Sequence, residues 1–177
     1  QDPVYDFDGV AAIASLALGP VRMDSCRAEV IVEDILGSPE VAAELAGRAL
    51  ECAGARLGAF TTGGVVTSEA AIVHHFRAQH GDTTLSFRVQ ADFGPEGADY
   101  YLPRPEFDLE GNAWRLEEPA RFRTGAGYFS LEPAALSSDY GSLQAYGTWD
   151  EAGDRLGGEV VLDRFDLALV NAFARED

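Results

Sequence analysis

The chain has 177 residues, 46% of them apolar, and 30 carboxylates against 13 basic side chains, all arginine, for a net charge of −17. That apolar content excludes wholesale disorder, and the length suits one folded unit spanning 1–177 with a sizeable core. So acidic a field repels phosphate backbones and discourages docking on anionic lipid surfaces, which excludes nucleic acid as a partner.

The first run, VYDFDGVAAIASLALG, is broken by Gly19-Pro20 before VRMDSCRAEVIVEDI begins, and the two read as strands. Gly37 to Gly58, GSPEVAAELAGRALECAGARLG, is ambiguous. Its Ala, Leu, Glu and Arg are strong helix formers, and Ser38-Pro39-Glu40 reads as an N-cap followed by proline at the first helical position. Val41, Leu45, Ala49 and Cys52 can share a helical face. Yet Val41, Ala43, Leu45, Ala49, Ala55 and Leu57 share one parity, opposite Glu44, Arg48 and Arg56, and Gly47 and Gly54 weigh against an unbroken helix. Two architectures follow: a mostly-β chain of antiparallel strands, or an α+β fold with one helix, residues 39–53, over an antiparallel sheet.

Residues 70–93 read as a hairpin. AAIVHHFRAQH leads through Gly81-Asp82 into TTLSFRVQADF, where Leu85, Phe87, Val89, Ala91 and Phe93 take one face and Ser86, Arg88, Gln90 and Asp92 the other. Residues 94–107, GPEGADYYLPRPEF, read as a loop, because a central strand rejects proline. RFRTGAGYFSLEP, YGSLQAYGTW and GGEVVLDRFDLALV then form short strand-like runs punctuated by glycine. No apolar run is long enough to span a bilayer and no signal-peptide pattern occurs, so the chain is expected to be a processed mature form or an excised piece of a longer protein.

Chemical signatures are few. Cys26 and Cys52 lack metal-ligand spacing and form either one disulfide or two inert buried thiols. A disulfide would close a loop of about 25 residues, worth roughly 3.5 kcal/mol, and would imply an oxidising compartment. His74 and His75 point to opposite faces of a strand and cannot share a metal without a bulge, so one is expected in solvent and the other packed on the inner face. Asp6 with Asp8, and Asp163 with Asp166, lack the spacing of an EF-hand and read as solvated acids. Glu117 and Glu118 precede Pro119 and read as a solvated turn. GAGYFS, at 125–130, begins like a dinucleotide fingerprint, but Ser130 replaces the third glycine and no helical pattern follows. No nucleophile elbow, zinc-protease motif or phosphate loop is present, so neither an enzyme nor a cofactor is expected. A hydrolase of unrecognised type is the weakest of the alternatives.

From GNAWRLEEPARFRTGAGYFSLEP to GEVVLDRFDLALVNAF the chain resembles the repeats of AsmA/TamB-type periplasmic proteins. The matching positions are Trp114, Leu116, Pro119 and Ala120 for an opening strand and its exit, then Gly141, Leu143 and Gly147. Leu156, Gly158, Val160 and Leu162 follow, with Leu167 and Leu169 closing the pattern. GSPEVAAELAGRAL matches an opening strand more weakly.

The resemblance implies an open β-groove, apolar inside and polar outside, in the periplasmic segment of an inner-membrane-anchored protein that carries phospholipid or assists outer-membrane assembly. An outer-membrane assembly protein is then a further candidate partner. On that reading Leu85, Phe87, Val89, Ala91 and Phe93 line the lipid-binding face, where each buried methylene is worth about 0.8 kcal/mol. The alternative for the same stripe is an ordinary closed core, in a self-contained secreted domain that binds a ligand or a protein.

Overall fold

Alternation of apolar and polar side chains becomes extended backbone along nearly the whole chain. The computed structural model describes residues 5–18, 21–52, 55–109 and 111–164, and among them every regular element is a strand. In chain order these are β1 (Phe7–Ile13), β2 (Leu16–Leu18), β3 (Val21–Met23), β4 (Ser25–Glu33), β5 (Glu40–Cys52), β6 (Ala55–Val66), β7 (Ala70–His80) and β8 (Thr83–Gly94). Then come β9 (Gly97–Leu102), β10 (Glu106–Leu109), β11 (Asn112–Leu116), β12 (Ala120–Gly125), β13 (Tyr128–Ser138), β14 (Gly141–Asp150) and β15 (Arg155–Asp163). Every pairing is antiparallel within one sheet. β1 with β2, β3 with β4, β9 with β10 and β11 with β12 each run end to end as one interrupted strand. The fifteen strands therefore make eleven rows of a simple up-and-down meander.

The interruptions line up. β7 carries one extra residue between Val73 and Phe76 relative to both neighbours, a bulge at His74-His75. Opposite it across β8 lies the break at 103–105, then the break at 117–119, then the bulge of β13 between Leu131 and Ala134. Bulges and prolines bend strands, so this line makes a crease across consecutive rows. A second line, through Asp24 and the β5 bulge at Arg48-Ala49, bends the first rows. Ala49 takes a left-handed φ of 55° there.

The register assigns every strand residue to one of two faces. One face collects Val30, Val41, Phe60, Phe76, Phe87, Trp114, Leu131, Leu143 and Val160, and no Asp, Glu or Arg stands on it among the described strands. Strands pack substantially only on their neighbours in the sheet, and no second layer covers either face among the described residues. Even so, Trp114 is 3% exposed and Ala78 2%. In a single layer such burial comes from neighbours on the same face, so the apolar face is concave. The accessible surface, 12297 Å², is about half again the roughly 8400 Å² expected of a closed globule of this mass.

Several expectations change. Residues 39–53 are not a helix: β5 is hydrogen-bonded to β4 and β6 on both sides, and tertiary pairing overrides local propensity. Gly47 belongs in that strand because the Phe60 ring and the Ser25 carbonyl occupy the space a Cβ would need. Residues 94–107 are mostly strand, with Pro95 in a turn and Pro103 and Pro105 confined to the crease. Cys26 and Cys52 are both free. Cys26 faces Gly47 on β5 while Cys52 lies five residues further along, roughly 13–16 Å away, well beyond disulfide reach. Gly19, Pro20, Asp166, Leu167 and Leu169 lie outside the described residues.

Phe60 sits in the main buried cluster with Cys26, Leu50 and Ala78, whereas Leu156 on the last strand is 85% exposed. Urea unfolding of Phe60→Ala is expected to show a loss of about 3–5 kcal/mol, and Leu156→Ala a change within about 0.5 kcal/mol. Denatured protein prepared without reductant is expected to titrate as two free thiols, with a melting temperature indifferent to dithiothreitol.

Candidate functional site

The hairpin of β7 and β8 sets the centre of the apolar face. Leu85, Phe87, Val89, Ala91 and Phe93 all stand on it, as their alternation requires, opposite Ala78, Phe76, Val73 and Ala71 of β7 for the first four. Phe76 and Phe87 stack with ring centroids 4.5 Å apart and planes 18° from parallel. Ala91 is buried between rows, while Phe93, at the row end, is 40% exposed.

The same face continues into strands that the sequence read as loop. Tyr100 of β9 stacks on Phe122 of β12 at 4.5 Å, and Phe122 meets Phe129 of β13 at 6.3 Å. Trp149, opposite Phe129 and Leu156, is 42% exposed, and Val160 is 65% exposed. Tyr100, Phe122, Phe129 and Trp149 were missed because Tyr100 sits between prolines and the runs after residue 120 are short. The signal available in the sequence was parity, since Asp99, Arg121 and Arg123 leave Tyr100 and Phe122 on the uncharged side. The result is a trough that deepens at Trp114 and Phe60 and opens toward β15.

The opposite face holds the charges. Asp92 and Asp99 face each other across β8 and β9, a like-charge pair. Arg123 relieves it by donating from Nε and a terminal nitrogen to both Asp99 oxygens, at 2.6 and 2.9 Å. That hydrogen bond holds the Asp99 carboxyl below its ordinary value and raises Arg123. Arg121 lies over the Tyr101 ring at 5.6 Å, and these groups border a shallow recess of about 600 Å³. Glu44 reaches across β6 to His75, 3.5 Å away, over Gly63, where a Cβ would strike the Glu44 carboxylate. His74 and His75 are both exposed, so neither packs on the inner face: the bulge turns this segment outward. Glu117, Glu118 and Pro119 form the crease between β11 and β12, and residues 126–127 are a turn into β13 rather than the start of a helix.

Among the described residues no three His, Cys, Asp or Glu side chains are grouped to hold a metal ion. What the arrangement offers chemically is a continuous uncharged trough, backed by a charged outer surface. Comparison with known protein families, with curated proteins and with solved structures gives no match for this chain.

Arg123→Gln is expected to return the Asp99 titration upward toward 3.8, read from its carboxyl chemical shift by NMR. The sign follows from linkage: a depressed folded-state pKa contributes stability above the ordinary carboxylate range, lost as pH falls through the folded value. Urea unfolding of wild type and Arg123→Gln should therefore converge at acid pH. A gap that persists below the Asp99 titration would count against this account.

Proposed function

We propose that this chain is a periplasmic segment of an AsmA/TamB-like protein, anchored in the inner membrane as a whole, and that its trough shields the acyl chains of phospholipid from water. Such a segment performs no covalent chemistry. It serves lipid transfer toward the outer membrane, or assembly there beside an outer-membrane partner.

One observation carries the reading: a concave face built from every row of the sheet which, among the described residues, is free of Asp, Glu and Arg and has no second layer over it. Soluble monomers rarely leave a contiguous apolar patch beyond a few hundred Å² uncovered, and larger patches mark interaction sites. A protein partner is ordinarily recognised through a polar rim and hydrogen bonds, whereas this trough offers few such groups along its length. Acyl chains need none. The repeat-like run from Trp114 to Leu162 supplies the periplasmic assignment, and the open sheet supports it because a closed core would have hidden the stripe on β8.

The test is phospholipid binding to delipidated protein, read by native mass spectrometry and by Trp149 emission, which is expected to shift to the blue as lipid covers the ring. Val160→Asp and Phe87→Asp, on the apolar face, are expected to weaken binding at least tenfold, and Arg88→Asp, on the outer face, less than twofold. Val160 is the safer position, since its exposure lets the variant fold. Equal effects at Val160 and Arg88, or no lipid on the wild type, would overturn the proposal.

A further inference from the structure

Turns ordinarily carry polar or small residues, and those between the rows of this sheet do, with one departure. The turn from β4 to β5, residues 34–39, has Ile35 and Leu36 at its tip, and no other described turn holds an isoleucine, leucine, valine or phenylalanine. Both are exposed, Leu36 at 76%. Tyr5 and Phe7, at the start of the neighbouring row, are exposed as well.

Hydrogen bonds hold this tip in place. Asp34 takes a left-handed φ of 51°, its carboxylate accepts from Ser38 N at 2.9 Å, and its carbonyl accepts from Gly37 N at 3.1 Å. Across to the first row, Ile35 N donates to Tyr5 O at 3.0 Å and Asp34 N to the Asp6 carboxylate at 3.2 Å. The carboxylates of Asp6 and Asp34 are thus engaged by backbone N–H groups, and four exposed apolar side chains gather at one corner of the sheet. Phe7 belongs to the trough too. It faces Val32, Val32 faces Val41 and Val41 faces Val66, direct neighbours across four rows on the apolar face. The corner is therefore continuous with the trough through Phe7.

We propose that this corner, with Ile35 and Leu36 leading, inserts in the surface of a zwitterionic bilayer and so sets a row end of the trough where acyl chains enter it. This rests on the lipid reading above and adds the place at which the chain meets its lipid source. Apolar area and surface charge together decide such binding. Two aliphatic side chains and two rings supply the area, and a tyrosine suits the headgroup level because its ring is apolar and its hydroxyl is not. Glu33 and Glu40 face each other on the outer side at the base of the turn, and with the net charge of −17 they oppose an anionic leaflet. A small tip of this kind buries its side chains in fluid lipid without needing a preformed pocket in a partner.

Flotation of the intact chain with phosphatidylcholine vesicles tests it. Ile35→Ser/Leu36→Ser is expected to lower the vesicle partition coefficient at least tenfold, and Val10→Ser, also exposed but on the outer face of the first row, less than twofold. The exposure of the tip lets the variant fold, and monomeric short-chain phosphatidylcholine should bind it as it binds wild type. Replacing part of the vesicle lipid by phosphatidylglycerol is expected to weaken partition at low salt, and added salt to restore it. Unchanged flotation of the tip variant, an equal loss in Val10→Ser, stronger partition with phosphatidylglycerol, or no flotation of a wild type that does bind the monomeric lipid would overturn the docking and leave the trough standing. A wild-type dimer in sedimentation velocity that the tip variant dissolves would also overturn it, assigning the corner to a second copy. Failure of the monomeric lipid to bind wild type would instead remove the trough reading itself.

Discussion

Segregation of charge by strand parity is the constraint on which the rest of this structure depends. A single-layer sheet satisfies its interior backbone groups through in-plane ladders, so those hydrogen bonds say nothing about which face meets water. Side chains alone decide that, and Asp, Glu and Arg occupy one parity in row after row. Because the side-chain period is two, a register slip of one residue would carry a whole row of charges into the trough. The apolar face thereby fixes the pairing of long strands that would otherwise slide.

The crease follows from the same economy of means. A flat sheet of eleven rows would leave its apolar side chains exposed, and among the described residues no helix or second sheet covers them. Bending the rows brings side chains of one face together, which is how Trp114 and Ala78 reach near-complete burial without a facing layer. The bulge at His74-His75, the breaks at 103–105 and 117–119 and the bulge of β13 are aligned from row to row, so the bends add up. The histidine pair and the adjacent glutamates sit on this line, where the bend leaves them in solvent.

Much of the fold was legible where alternation was clean. The β7–β8 hairpin and the stripe from Leu85 to Phe93 follow directly from parity. The segment from Gly37 to Gly58 was not legible, because alanine and leucine satisfy helical and extended patterns alike. Only the ladders to β4 and β6, which involve residues distant in sequence, select the strand. Residues 94–107 misled for the opposite reason: proline signals a loop locally, yet here each proline occupies a turn or a crease while Ala98, Tyr100 and Leu102 keep strand parity around it. The cysteine pair shows a third limit, since separation in sequence carries no information about position along two neighbouring strands.

An uncovered apolar face also bears on how such a sheet would handle what it binds. A ligand that covers the face stabilises the folded state by mass action, so an occupant of the trough would support the sheet as well as be carried by it. Specific sites hold ligands at a fixed point through a few well-placed polar groups, and the trough floor has few: among its described strand residues His80 and Asn112, both at row ends, stand apart from aliphatic, aromatic, small and hydroxyl-bearing side chains. A chain lying there gains apolar contact at each row without a group that distinguishes one row from the next. Neighbouring positions are then close in free energy, and the barriers between them are those of sliding over side chains rather than of breaking hydrogen bonds. Such a surface is suited to movement across its strands.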